Sequence, residues 1–126
     1  MEKSWNSALT ACELINGHLF EPANLQQNDN TADHTLSLLG EQWLWFGITD
    51  AETEGQWQTA STKTTIPFEN WQSGEPNNHM GNQECGKMWV SSSSANHGKW
   101  DDRSCSDPYR FICEKELVSA KIQLIT

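Results

Sequence analysis

Four cysteines, Cys12, Cys85, Cys105 and Cys113, limit how this chain of 126 residues can fold. None forms Cys-x-x-Cys, which argues against a zinc ribbon or a thioredoxin motif. The even count and the wide first gap point to structural disulfides and an oxidising compartment. Three pairings are open, and four free buried thiols in a reducing compartment are the alternative. No Asn-x-Ser/Thr sequon supports secretion independently.

The length suits one ordinary domain with a core of its own. Eight Lys and Arg against 17 Asp and Glu leave a formal charge of −9. Such a surface repels a phosphate backbone, so nucleic acid is not an expected partner, whereas clustered carboxylates would welcome a cation. The longest apolar run, Trp43–Ile48, is far short of the ~18 residues of a membrane span. Glu2 and Lys3 lead directly into a polar helix pattern, not a secretory leader. Seven Trp imply a packed aromatic core, a stacking surface, or both.

Ser4 can cap a helix beginning at Trp5, whose Trp5, Ala8, Leu9 and Cys12 share one face, with Gly17 as its stop. A second helix is expected from about Asn30 to Leu39, with Leu36 and Leu39 inward and Gly40 as its cap. Trp43–Ile48 reads as a buried strand, with short strands near Gln56–Thr59 and Gly86–Val90 and a closing strand at Phe111–Glu114. Gly, Pro, Asn and Ser dominate from Gly55 to Gly98, and so long an irregular stretch inside one domain is usually functional. Ser91–Ser94 looks like a loop tip.

Together these pieces resemble the C-type lectin-like domain. Trp45-Phe46-Gly47-Ile48 is similar to that family's core Trp-Ile-Gly-Leu strand. Phe68-Glu69-Asn70-Trp71-Gln72-Ser73-Gly74-Glu75-Pro76-Asn77-Asn78 is similar to its long-loop motif, and Trp100-Asp101-Asp102 stands where the family has Trp-Asn-Asp. The resemblance covers roughly residues 4–116. It implies an α+β fold with two helices, two small antiparallel sheets and a long calcium-binding loop region. It also implies the disulfides Cys12–Cys113 and Cys85–Cys105, and an extracellular, secreted origin.

The resemblance implies a Ca²⁺ site at Glu75, Asn77, Gln83, Asp101 and Asp102. The chemistry agrees, because calcium takes six to eight oxygen ligands, several of them charged. In the family the ion is completed by two vicinal sugar hydroxyls, which the same side chains also hydrogen-bond. Two positions depart from the family pattern. Gln83 replaces a Glu, and Asp101 replaces the Asn of Trp-Asn-Asp. The changes offset each other in charge but exchange a donor for an acceptor. Glu75-Pro76-Asn77 alone implies mannose, glucose or fucose; the exchange makes that rule unsafe. Trp89 could stack against the apolar face of galactose, or belong to the core. His79 follows the turn, where mannose binders can carry His. The balance leans to a galactose- or GalNAc-type hexose site. A weaker auxiliary calcium site would use Asp50 and Glu54, with Asn78 and Gln83 in place of expected carboxylates.

Family members open with a strand that pairs with the last one. Here Val118, Ala120, Ile122 and Leu124 alternate with polar residues near the C-terminus. The tail over 118–126 therefore reads as that opening strand, relocated by circular permutation within one domain, 1–126, and paired with Phe111–Glu114. The alternative is an ordinary tail or an oligomerising strand.

Catalysis is not expected. His18, His34, His79 and His97 are scattered, no His-Glu-x-x-His or nucleophile motif occurs, and the site that the resemblance implies would commit Glu75 and Asp101 to the ion. The expected partners are mono- or oligosaccharide glycans. One shallow sugar site binds weakly, so avidity would call for an oligomer such as a homodimer. A domain of this fold that binds protein, ice or mineral is the remaining reading.

Overall fold

The Ser4 side chain accepts a hydrogen bond from the Ser7 amide at 3.3 Å and starts helix α1, Trp5–Leu14. In this computed structural model, which describes residues 1–77, 81–116 and 122–125, α1 buries Trp5, Ala8 and Cys12 along the expected face. Its exit differs from expectation. Asn16, not Gly17, takes the left-handed conformation, with φ of 63°. Gly17 is needed for space, since a Cβ there would lie 2.5 Å from the Glu114 carbonyl oxygen.

The second helix, α2, spans Leu25–Leu39, one turn and more ahead of the expected start. Asn24 is the cap, its side chain accepting from the Gln27 amide at 2.8 Å. The inward face is Asn28, Thr31, Ala32 and Thr35, while Leu36 and Leu39 are only half-buried. A core face made largely of polar residues gives little apolar periodicity, which is why the first turns were not legible.

Strand β1 (His18–Leu19) follows α1; β2 (Gln42–Thr49), β3 (Gln58–Thr59), β4 (Cys85–Val90), β5 (Trp100–Arg103) and β6 (Arg110–Phe111) follow α2. The closing strand divides into β6 and β7 (Cys113–Glu116), and β8 is Ile122–Ile125. One sheet has the order β1-β7-β8; the other runs β3-β2-β4-β5, with β6 against β2. All pairs are antiparallel except β2 with β6, which is parallel. β8 pairs with β7, Cys113 opposite Ile125 and Glu116 opposite Ile122. The stretch 117–121 that would join them lies outside the described residues.

Both disulfides have the pairing that the resemblance implied. Cys12–Cys113 joins α1 to β7, and Cys85–Cys105 joins the start of β4 to the segment after β5. In the chain-entropy account a loop as long as the first, 101 residues, contributes about 4–5 kcal/mol. Two apolar clusters fill the interior. One, around Phe46, Met88 and Trp100, lies under the long loop, and the other, around Trp5, Trp45 and Cys85, lies under α1.

Candidate functional site

Trp100 is fully buried at the head of β5 and organises the loop that carries Glu75. Its indole contacts Phe46, Phe68 and Trp71 at centroid distances of 5.0, 5.2 and 5.5 Å, and Trp71 in turn contacts Trp57 at 4.8 Å. The backbone locks the same segment, with the Trp100 amide donating to the Asn70 carbonyl and the Gln72 amide to the Trp100 carbonyl. Gly74, with φ of 85°, then turns the chain, and the Glu75 amide closes onto the Gln72 carbonyl. The Glu75–Pro76 bond is cis. Past it, the Asn77 amide donates to Oδ1 of Asp102 at 3.1 Å, and Nδ2 of Asn77 to Oε2 of Glu75 at 3.3 Å.

Glu75, Asp101 and Asp102 thereby converge, each offering a carboxylate oxygen within 4.8 Å of the others. Burial, followed by the Asp102 and Asp101 carboxylates, pushes the Glu75 carboxyl up to about 7. Burial also raises Asp101, against the pull of the Lys87 ammonium. Oε1 of Glu75 is buried without a hydrogen-bond partner among the described residues. A carboxyl that titrates near neutrality beside two further carboxylates, with one oxygen unmatched, gives a donor set that a hard divalent cation satisfies.

Gln83 is buried two residues ahead of β4, and Asn78 and His79 lie outside the described residues. Trp89 is half-buried, with its ring 5.0 Å from that of Trp43. Alternation along β4 puts Trp89 on the face of Lys87, the residue opposite Asp101.

At the auxiliary position Asp50 is 2% exposed. Its Oδ2 accepts from the Gly55 amide at 2.9 Å, while Oδ1 is buried without a hydrogen-bond partner among the described residues. Glu54 is raised by its hydrogen bond to Asp50, with a further push from Glu84. Glu84 is the carboxylate that sequence reasoning missed here; its carbonyl accepts from the Asp50 amide and the Thr49 hydroxyl. Its place between Gln83 and Cys85 was the available signal. The other missed residue is Lys87, whose burial nothing in the local sequence announces.

Residues 1–115 match the family model described as the Lectin C-type domain. The chain belongs to the C-type lectin family. A perlucin-like protein of Mytilus galloprovincialis is 30% identical over 113 residues, 88% of this chain and 69% of that protein. A hepatic lectin of Gallus gallus is 32% identical over 115 residues, 90% of this chain and 51% of that protein. The chain thus spans about half of the hepatic lectin's length. The mouse scavenger receptor C-type lectin carbohydrate-recognition domain superposes with a TM-score of 0.76 at 26% identity, over 93% of this chain and 85% of that one. This C-type lectin domain is a carbohydrate-binding module rather than an enzyme, and domains of the family generally bind calcium. No helix among the described residues is long and apolar enough to cross a membrane.

Proposed function

We propose that this lectin domain binds a hexose through two vicinal hydroxyls in a calcium-dependent manner, with a galactose-type preference. The observation that carries the reading is the buried Oε1 of Glu75, without a hydrogen-bond partner among the described residues, beside the carboxylates of Asp101 and Asp102. Glu75, Asn77, Gln83, Asp101 and Asp102 would hold the ion. Bound calcium would supply open coordination positions for the two hydroxyls.

The side chains then read the sugar. Glu75, Asp101 and Asp102, once ionised, only accept, so they take hydrogen bonds from hydroxyls; the amides of Asn77 and Gln83 donate to hydroxyl oxygens. Asp where the family has Asn, and Gln where it has Glu, exchange the two roles on one side of the ion. This exchange favours a hexose whose hydroxyl pair is oriented differently from the equatorial 3- and 4-hydroxyls of mannose. Trp89 is the proposed apolar platform. A mannose-type site is the second reading, favoured by Glu75-Pro76-Asn77 itself. The auxiliary ion would sit at Asp50, Glu54 and Glu84. An extracellular location, with avidity from a homodimer, completes the proposal.

Titrations with galactose and with mannose, each repeated in EDTA, test it. Galactose binding abolished by EDTA is the expected result. Mannose binding alone would return the specificity to the Glu75-Pro76-Asn77 rule, and binding of both sugars unaffected by EDTA would overturn calcium dependence.

A further inference from the structure

Lys87 is 4% exposed at the centre of β4, an unusual place for an ammonium. It stands opposite Asp101 in the β4–β5 register, with Nζ 3.8 Å from Oδ2 of that residue. The same Nζ lies 3.7 Å from the Trp43 ring centroid, 5.0 Å from that of Tyr109, and donates to the Tyr109 hydroxyl at 3.5 Å. Two aromatic rings, one of them bearing the phenol hydroxyl, and the Asp101 carboxylate thus hold the ammonium. Burial, with a smaller push from the Arg103 guanidinium, disfavours the charged lysine and lowers its pKa to about 8, with Asp101 the main opposing pull. A methionine or leucine would fill the slot without that desolvation penalty, so packing does not explain a lysine there.

The charge does have a counterpart. An Asp at position 101 adds a third carboxylate to the group formed with Glu75 and Asp102. We propose that Lys87 is a positioning residue for the sugar site: it offsets the charge of Asp101 and holds Oδ2, so that the other carboxylate oxygen keeps one orientation toward the ion and the sugar. This rests on the lectin reading above. Lys87 itself touches neither ion nor sugar; it acts through Asp101.

The test is a double-mutant cycle of Lys87→Met and Asp101→Asn, read twice. Methionine keeps the stem against Trp43 and Tyr109 and removes the charge. In calcium-free protein, Lys87→Met is expected to lower the thermal midpoint, and Asp101→Asn to suppress most of that loss. At saturating calcium, Lys87→Met is expected to reduce discrimination between galactose and mannose by roughly tenfold, the size of one displaced hydrogen-bonding group. In the Asp101→Asn background the same change should leave discrimination unaltered. Equal effects in both backgrounds would overturn the proposal and leave Lys87 a packing residue. Should Lys87→Met not fold, Lys87→Gln, which retains a donor for Tyr109, replaces it in the cycle. If wild-type protein binds neither hexose with calcium, the lectin reading fails, and the calcium-free cycle still decides whether Lys87 and Asp101 are coupled.

Discussion

The indole N–H of Trp100 donates to Oδ1 of Asn28 at 2.8 Å, inside the protein, across 72 positions of sequence. Nδ2 of Asn28 also donates to the Gly98 carbonyl, at 3.0 Å, which Asn70 approaches from the long loop at 2.8 Å. One buried amide therefore links α2, the turn before β5 and the segment leading to Glu75.

Replacing Asn28 with Ala would leave the indole N–H without its partner in a dry site. A buried donor so abandoned costs about 1–3 kcal/mol. The expected result for Asn28→Ala is a lower denaturation midpoint with an unchanged m-value, together with weaker calcium binding, because Asp101 and Asp102 directly follow Trp100. Unchanged calcium affinity in a destabilised variant would show that the site does not depend on this anchor.

Glu75 makes the metal-free protein pH-sensitive. Its carboxyl titrates at about 7 in the fold, against an ordinary 4.5. Between those values the folded state binds more protons than the unfolded chain, so stability falls as pH rises through the window. The contribution is fully present below about 4.5 and lost above about 7. At the proposed site calcium would displace the same proton, so its affinity is expected to rise from pH 5.5 to pH 8. Thermal melts with and without calcium at both pH values check the two opposite slopes.

Glu75→Gln separates site from scaffold. The substitution keeps the shape of the protonated acid and removes one of three clustered carboxylates. The metal-free thermal midpoint at pH 8 is expected not to fall, while calcium affinity should drop by roughly tenfold or more. Calorimetric titration reads the second effect, and an unchanged affinity would remove Glu75 from the ligand set.

Gly17→Ala should act on the scaffold alone. The new Cβ would meet the Glu114 carbonyl oxygen at 2.5 Å, a backbone atom that cannot swing aside. Overpacking of this kind costs typically about 1–3 kcal/mol. Chemical denaturation should show that loss, with calcium affinity retained because the contact lies in the β1-β7-β8 sheet rather than beside Glu75.

The sequence by itself determined the family, the helix at Trp5 and the identity of the three clustered acids. These are legible because they are written in local chemistry: a Ser4 cap, an apolar face at helical spacing, and Glu75-Pro76-Asn77 with Trp100-Asp101-Asp102 as contiguous motifs. The cysteine spacing left three pairings open, and only the family resemblance pointed to the two observed. What tertiary structure alone decided is of another kind. The start of α2 depends on Asn28, Thr31 and Thr35 being buried, and polar residues announce burial only once their partners are in place. Glu84 comes beside Asp50 because the chain entering β4 hydrogen-bonds the end of β2. Lys87 is buried against Trp43, Tyr109 and Asp101, residues from three separate stretches of chain. Charge compensation, desolvation and an orphaned carboxylate oxygen depend on distances through space, and those distances exist only after the strands have paired.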